Sequence, residues 1–360
     1  MSKKATKKHK RKLRGWTKAA IVVVSLLLVV SIVLGAGYGV YKSYYNKMNY
    51  EETVTRTEFG RCMRRVLEGD MRELMYAEHV YNVLLIGIDS YRTDGVRSDT
   101  MILVSVNENT EQIIMTSFMR DSWVHIPGVG AERLNEAYNR GGADLLIDTI
   151  ETNFHIKIDN YVLVDFYAFI DVVDSLGGID IEITEDERLV LNEPYIEHIN
   201  YLLHRPKGTD YVERSGMNHF NGVQALSFAR IRYMAGSDFA RTERQRKVIN
   251  AAFEKFKDCS IPEMLEVVDV VLPNVTTDID ENRMLTLITD TTMKYKDYKM
   301  VMNRVPYDGT YWNWINEVTG ETKDVLSIDI EINTNYLIRD IYGIDFTEID
   351  LQDEQIETEE

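Results

Sequence analysis

The stretch that decides the fold is YNVLLIGIDS (81–90), which is followed closely by SDTMILVSVNENTEQIIMTSFMRDS (98–122). The first segment is an apolar run rich in strand-forming residues, and it ends on Asp89. The second segment predicts a hairpin with strands at 101–106 and 112–118, joined by a polar turn. Apolar runs of this length, bounded by polar turns, are typical of strands inside a sheet. The sequence therefore predicts that the folded body begins with three neighbouring strands.

Strand and helix patterns then alternate along the chain. Further strands are predicted at NYVLVDF (160–166), IDIEI (179–183) and near YKMVMNRVP (298–306). Helices are predicted at RLNEAYNRGG (133–142), ADLLIDTIETNF (143–154), YAFIDVVDSLGG (167–178), NGVQALSFARIR (221–232), SDFARTERQRKVINAAFEKF (237–256) and NTNYLIRDIYG (333–343). The polar, proline-containing residues 185–220 are interpreted as a loop-rich insertion or lid. This alternation predicts an α/β fold, a three-layer α-β-α sandwich with a central mixed sheet.

The charge is distributed unevenly between the beginning of the chain and the rest. Residues 1–18 contain nine Lys and Arg and no acid, whereas the whole chain carries a formal net charge of −17. A basic tail on an acidic body argues against a nucleic-acid-binding body, which would need a basic face. A lysine-rich tail suits contact with anionic lipid.

An uncharged apolar stretch at 19–40 follows the basic tail. About 20 such residues in a helix span a hydrocarbon core of roughly 30 Å. We therefore predict one N-terminal transmembrane helix at 19–41, with the tail in the cytoplasm and the remainder outside the cell. A cleavable signal peptide is the alternative, although its apolar region is usually about 7–15 residues. The predicted organisation continues with a juxtamembrane helical stalk (42–80), the folded domain (81–350) and an acidic, disordered tail (351–360).

Two carboxylates lie at strand boundaries of the predicted hairpin region. Asp89 ends the first strand, and Asp99 precedes the second. Ligands gather near the carboxyl ends of strands in open α/β sheets, and paired carboxylates suit a hard cation such as Mg²⁺. The alternative is that Asp89 caps a turn and Asp99 caps an N-terminus. The two cysteines, Cys62 and Cys259, have no zinc-ligand spacing, and the sequence leaves open whether they pair.

An arginine cluster supplies the matching positive charge. The Arg120–Asp121 pair follows the strand IIMTSFM, and on the helix after 237 Arg241, Arg244 and Gln245 have the spacing of one helical face. Arg230 and Arg232 end the preceding helix. Arginine forks at a helix N-terminus favour phosphate binding. The alternative is a solvated, charged helix surface, which is common.

These motifs, in this order, resemble the LytR-CpsA-Psr family. The resemblance rests on NVLLIGIDS, RSDTMILVSVN, SFMRDSWVHIPG, RLNEAYNRGG, VDFYAFIDVVDSLGGIDIEI and NGVQALSFARIRY…SDFARTERQRKVINAAF. It extends strongly over residues 80–260 and weakly over the C-terminal strands. The chain departs from the family at SFMRDS, where a proline often precedes the Arg-Asp pair, and in the length of the loop RYMAGSDF.

The resemblance implies a membrane-anchored extracytoplasmic phosphotransferase. Such enzymes move a glycopolymer, for example teichoic acid or capsule, from an undecaprenyl-pyrophosphate carrier to peptidoglycan and form a phosphodiester. The implied Mg²⁺ ligands are Asp89 and Asp99, and the implied catalytic residues are Arg120, Asp121 and Asp99, with Asp99 or Asp121 as the base. The implied pyrophosphate ligands are Arg120, Arg230, Arg232, Arg241 and Gln245.

Two other functions stay open on the sequence alone. The first is a lipid-pyrophosphate hydrolase that uses water as the nucleophile at the same site. The second is a non-catalytic binder or regulator of envelope assembly. The apolar helical segments LLIDTI (145–150) and FYAFIDVV (166–173) either line a groove for the lipid chain or belong to the core.

Overall fold

A seven-stranded mixed sheet is the centre of the protein. It is seen in a computed structural model that describes residues 42–43, 45–51, 73–88, 96–232, 237–260, 263, 267, 270, 273, 275–318 and 321–344. The strands are β1 (Asn49–Tyr50), β2 (Val80–Ile88), β3 (Ser98–Asn107), β4 (Gln112–Phe118), β5 (Trp123–Ile126), β6 (Gly130–Arg133), β7 (Asn160–Asp165), β8 (Ile179–Ile183), β9 (Gly216–Phe220), β10 (Val275–Thr277), β11 (Lys299–Val305), β12 (Tyr311–Val318) and β13 (Glu321–Ile328). The sheet has the order β1-β10-β7-β2-β3-β4-β11.

The strand directions bring several strand ends to one edge of the sheet. β2 pairs antiparallel with β3 and parallel with β7, β3 pairs antiparallel with β4, and β4 pairs parallel with β11. The carboxyl ends of β2, β4, β7 and β11 and the start of β3 therefore share one edge, which we call the site edge. The predicted hairpin is confirmed, with β3 beginning at Ser98 rather than at residue 101.

Helices surround the sheet. They are α1 (Leu134–Phe154), α2 (Phe166–Ser175), α3 (Glu185–Val190), α4 (Glu197–Leu202), α5 (Gly222–Ala229), α6 (Ser237–Lys257), α7 (Glu281–Met293) and α8 (Ile330–Tyr342). A π-helical segment, Leu191–Ile196, joins α3 to α4. The α/β fold with a central mixed sheet is thus confirmed.

The apolar residues of the sheet alternate between two faces, as the period of two in a strand requires. One face of β3 contributes Met101 and Leu103 to a core that includes Leu146 and Ile150 of α1 and residues of α8. The opposite face contributes Ile102 to a smaller cluster, which Ile249 and Phe253 of α6 join as partly buried residues.

A third cluster lies around the antiparallel pair β8–β9 and includes Phe220, Phe228 and Val248. Helix α6 therefore contacts all three clusters, since Phe239 packs against the first, Val248 belongs to the third and Ile249 packs against the second. This packing holds α6 in place near the sheet.

Two of the predicted helix boundaries agree with the structure, and a third differs from it. Gly141 and Gly142 interrupt α1 with non-helical backbone angles, where the sequence predicts one helix ending and another beginning. Asn221 caps α5 and forms a reciprocal capping box with Gln224, at the residue where the sequence predicts this helix to begin. The last helix begins at Ile330, three residues earlier than predicted, because Asp329 caps it.

Two predictions of local structure are wrong. Residues 185–220 are not mainly loop, because they contain α3, the π-helical segment, α4 and β9. Leu191, Ile196 and Ile199 are buried in the third cluster, so this segment is part of the core rather than a surface insertion. Asn49–Tyr50, placed by the sequence in a helical stalk, forms β1 and pairs parallel with β10.

The predicted anchor at 19–41, the basic tail, the acidic tail and Cys62 lie outside the described residues. Among the helices that the structure does describe, none has the length and apolar character needed to cross a membrane. The chain separates into two compact units, Met1–Lys47 and Met48–Glu360, and the strands β1–β13 and helices α1–α8 belong to the second.

An exposed histidine on β9, His219, is expected to give the protein's stability a small pH dependence. The pKa of His219 is raised above 6.5, first because Nδ1 hydrogen-bonds to Asp180 and second because Nε2 faces the Gly177 carbonyl. A raised pKa means stability that is present below about 6.5 and lost as the pH rises through the native-state value. Both side chains are largely exposed, so screening keeps the effect small.

We therefore expect His219→Gln to lower the Tm by about 1 °C at pH 5.5 and by less at pH 8.5, because a weak, screened pair shifts Tm only slightly. Thermal unfolding at the two pH values, with His125→Gln at an exposed position of β5 as the control, checks this. An equal loss at both pH values would contradict it.

Candidate active site at the site edge

Arg120 lies buried between two carboxylates at the site edge. Its Nη1 is 2.8 Å from Asp99 Oδ1, its Nε is 3.3 Å from Asp121 Oδ2, and the residue is only 8% exposed. The turn after β4 fixes this position, because the Asn135 N–H donates to the Arg120 carbonyl and the Met119 N–H donates to the Val305 carbonyl. Three of the predicted site residues are therefore brought together.

The surroundings of Asp99 keep its carboxylate ionised. Burial is the largest single influence and opposes ionisation, but the charge and hydrogen bond of Arg120 and the charges of Arg241 and Arg232 act against it. The net result is a lowered pKa for Asp99. Since Coulomb interactions weaken with distance, this also places Arg241 and Arg232 near the same carboxylate.

Helix α6 delivers Arg241 to the edge. Arg241 is 5% exposed, and neighbouring residues anchor its turn. Phe239 stacks on Tyr311 with 4.7 Å between ring centroids, and Thr242 Oγ1 donates to the Met119 sulfur at 3.4 Å. Gln245 is half-buried one turn further along α6, and its side-chain amide makes no hydrogen bond to another described residue.

The end of α5 places the other two arginines. The Arg230 guanidinium lies 4.6 Å from the centroid of the Phe166 ring, at the start of α2 next to the site edge. Arg232 is exposed, and its backbone N–H donates to the Tyr195 hydroxyl at 2.5 Å. The pKa of His198 is lowered by burial and by the charge of Arg230, which places the histidine beside this arginine.

Arg244 differs from the prediction that it shares a phosphate-binding face with Arg241. Its Nε lies 2.9 Å from Glu187 Oε1 and its Nη1 donates to the Ile231 carbonyl at 3.3 Å, with both partners of the ion pair mostly buried. Arg244 therefore fastens α6 to α3 and to the end of α5. Arg244 does not belong to the candidate anion site.

The metal ligands are only partly described. Asp99 is at the site edge, whereas Asp89 lies outside the described residues. Within the described part of the chain, no group of three or more His, Cys, Asp or Glu side chains could hold a metal ion.

Several charged residues next to the site were not singled out from the sequence. Arg133 Nη1 lies 3.6 Å from Asp121 Oδ1, and Arg133 and Arg97 both contact Glu136. The signal was present in RLNEAY, where an arginine and a glutamate flank the start of α1. Tyr195 gave no local signal, because its partner Arg232 is distant in sequence.

Comparison with known proteins identifies the family. A model of the LytR_cpsA_psr family matches residues 40–333. The chain is 30% identical to the polyisoprenyl-teichoic acid–peptidoglycan teichoic acid transferase TagU of Oceanobacillus iheyensis, covering 89% of this chain and 97% of that protein. It is also 30% identical to the transferase of the same description, TagT, of Bacillus subtilis, covering 75% of this chain and 79% of that one.

A solved structure shares the fold. The structure described as TagT bound to LIIa-WTA superimposes with a TM-score of 0.58 and 26% identity, covering 82% of this chain and 97% of that chain. The family predicted from the ordered motifs is confirmed. The chain belongs to the LytR-CpsA-Psr family.

Proposed function

We propose that this protein is a phosphotransferase that moves a glycopolymer from an undecaprenyl-pyrophosphate carrier to peptidoglycan and forms a phosphodiester. The named activities of TagU and TagT support this, because both are teichoic acid transferases acting from a polyisoprenyl carrier to peptidoglycan. The observation that carries the proposal is the buried Arg120 between Asp99 and Asp121, with Arg241 and Arg232 acting on the same carboxylate.

The arginines are suited to a pyrophosphate group. Arg120 and Arg241 are buried, where charge interactions are less screened by water, and Arg230 and Arg232 approach from the end of α5. Arginine forks bind phosphate oxygens in a bidentate manner, and they stabilise the negative charge that develops during phosphoryl transfer. Gln245, whose amide is uncommitted among the described residues, lies on the same helix as a further donor.

In the proposed reaction a muramic acid hydroxyl attacks the phosphorus next to the polymer. The new P–O bond forms as the bond to the bridging oxygen breaks, and undecaprenyl phosphate leaves with that oxygen. The hydroxyl proton goes to a carboxylate or to the leaving phosphate. Asp121 lies between Arg120 and Arg133. The pKa of Asp99 is lowered, which makes its carboxylate a weak proton acceptor. Asp99 is therefore better suited to hold a cation than to act as the base.

Mg²⁺ fits the donors present at the site edge. Mg²⁺ commonly takes one or two carboxylates and completes its shell with substrate phosphate oxygens and water. Asp99 uses Oδ1 for Arg120, and Oδ2 has no hydrogen-bond partner among the described residues, so it is open to a cation. When bound, the ion would neutralise phosphate charge, with Asp89 as the second predicted ligand.

The lipid chain of the carrier needs an apolar surface beside the arginines. On the face of the sheet opposite α1, Leu85 and Val104 are only partly buried, and the partly buried Ile249 and Phe253 of α6 pack against the same cluster. We propose that the polyprenyl chain covers this face. In contrast, Leu146, Ile147 and Ile150 of LLIDTI are fully buried and belong to the core.

The sequence at 1–41 leads us to propose a single-pass membrane protein. The basic tail would face the cytoplasm and the catalytic unit would lie outside, beside the lipid carrier and the wall. This arrangement matches the proposed substrates, which are a membrane lipid and peptidoglycan.

The proposal is tested with the full-length protein in detergent. The substrate is a short teichoic acid unit on undecaprenyl pyrophosphate, with peptidoglycan oligomers as acceptor, and mass spectrometry detects the phosphodiester product. We expect product only with the acceptor, and less product after Mg²⁺ is chelated. Release of the sugar phosphate to water at the same rate with or without acceptor would instead indicate the hydrolase, and no turnover at all would leave a binder.

A tyrosine outside the predicted site is expected to tune substrate binding. Since the Tyr195 hydroxyl accepts the Arg232 N–H, Tyr195→Phe loses one hydrogen bond that holds the arginine backbone. A hydrogen bond contributes about 0.5–1.5 kcal/mol, so we expect KM for the lipid-linked substrate to rise about 2- to 10-fold. The control is Tyr201→Phe, at an exposed tyrosine on α4. An unchanged KM in Tyr195→Phe would contradict this role.

A further inference from the structure

Glu136 is a buried carboxylate that holds three side chains beside the candidate site. It is 6% exposed and lies in the first turn of α1. Its Oε1 accepts from Arg97 Nε at 2.8 Å and from Arg133 Nη2 at 3.1 Å, and its Oε2 accepts from Asn139 Nδ2 at 3.2 Å. A buried charge with several charge-assisted hydrogen bonds is a strong geometric constraint on its partners.

Arg133 connects this carboxylate to the candidate site. Its Nη2 binds Glu136, while its Nη1 lies 3.6 Å from Asp121 Oδ1. Asp121 in turn faces Arg120 through Oδ2, and Arg120 binds Asp99. The result is a row of alternating charges, Asp99–Arg120–Asp121–Arg133–Glu136, which runs from the start of β3 to the start of α1.

Arg97 links Glu136 to the start of this row of charges, at Asp99. It binds Glu136 and lies two residues before Asp99, immediately before β3. Glu136 therefore restrains the site from two directions, through Arg133 toward Arg120 and through Arg97 toward the backbone that carries Asp99.

We propose that Glu136 is a positioning residue of the transferase, which fixes the direction of the Arg120 guanidinium and of the Asp99 carboxylate through Arg133 and Arg97. This inference rests on the proposed function and identifies a residue outside the predicted set. Its contribution is geometric, because in the part of the chain that the structure describes its carboxylate hydrogen-bonds to the side chains of Arg97, Arg133 and Asn139. Small displacements of charged groups are costly in phosphoryl transfer, where positioning and charge stabilisation provide most of the acceleration.

The test compares Glu136→Gln with Glu151→Gln in the full-length protein. Glu151 is a good matched control, because it lies on the same helix, is 1% exposed and accepts the Ile158 N–H through Oε1 at 2.9 Å. Both changes keep the side-chain shape and remove a buried charge. For Glu136→Gln we expect kcat to fall about 10- to 100-fold with KM for the lipid-linked substrate within about twofold, as for supporting residues around a site. For Glu151→Gln we expect only a lower Tm.

The outcomes separate this inference from the proposed function. If the wild-type protein transfers no polymer, both are overturned. If the wild type is active and Glu136→Gln keeps its kcat, or if both variants lose kcat equally, only the role of Glu136 is overturned. Should Glu136→Gln fail to fold, Arg97→Gln removes one arm of the same arrangement, and it must then show the same loss of kcat at unchanged KM.

Discussion

Arg120→Ala is expected to lower the rate of polymer transfer at least about 10³-fold, which is the loss seen when a charge-stabilising arginine is removed from a phosphoryl-transfer site. The expectation follows from its position. Arg120 is buried, faces both Asp99 and Asp121, and therefore presents a fixed guanidinium to a bound pyrophosphate. Arg120→Lys should recover only part of the activity, because an ammonium group does not reproduce the planar fork.

The same variant should remain folded but become less stable. Removing the partner of a buried carboxylate usually costs several kcal/mol, but here Arg133 still faces Asp121, and Arg241 and Arg232 still act on Asp99. We expect a loss of about 1–3 kcal/mol, visible as a lower Tm. Arg205→Ala is the control, since Arg205 pairs with Asp210 on the surface. Wild-type transfer by folded Arg120→Ala would overturn the site assignment.

The central sheet could be predicted because its signals are local. The apolar run before Asp89 and the alternating strands around 107–111 each carry the pattern of a buried strand without reference to any other part of the chain. The glycines in α1 and the Asn221 cap likewise act on their own backbone. Where the conformation is determined within about ten residues, sequence and structure agree.

The region 185–220 could not be predicted because its structure depends on distant partners. Its polar residues and Pro194 favour loops locally, and the π-helical segment breaks the regular helical spacing of Leu191, Ile196 and Ile199. These side chains are buried only because Phe220, Phe228 and other members of the third cluster meet them. Strand β1 is two residues long, which is too short to give a periodic signal.

The residues of the candidate site divide in the same way, into those that local patterns predict and those that depend on distant partners. Asp99, Arg120 and Asp121 follow from strand ends that the sheet brings together, and the motif order identified Arg241 and Arg232. Arg244 was misassigned because helical spacing gives the face of a side chain but not its partner. Its partner, Glu187, is 57 residues away and belongs to the region whose structure was not predicted.

Asp99→Asn is expected to lower transfer about 10²- to 10³-fold and to remove most of the response to Mg²⁺, because an amide oxygen is a weaker ligand than a carboxylate for a hard cation. Its Oδ2 is the open oxygen at the site edge among the described residues, while Oδ1 binds Arg120. The measurement is a Mg²⁺ titration of the transfer rate, with Asp186→Asn on exposed α3 as the control. A wild-type Mg²⁺ response in Asp99→Asn would show that the cation is held elsewhere.

The lowered pKa of Asp99 also determines how the stabilities of the wild type and of Asp99→Asn change with pH. A depressed pKa stabilises the folded protein above the unfolded value of 3.8, and this contribution is lost as the pH falls through the folded value. We therefore expect wild type to have a higher Tm than Asp99→Asn at pH 7, and the difference to shrink below about pH 4, where the unfolded carboxyl becomes protonated. Between pH 5 and pH 8 Asp99 stays ionised, so any pH dependence of transfer in that range must come from another group. A Tm difference between the two proteins that stayed the same from pH 7 to well below pH 4 would instead show that the arginines do not lower the pKa of Asp99.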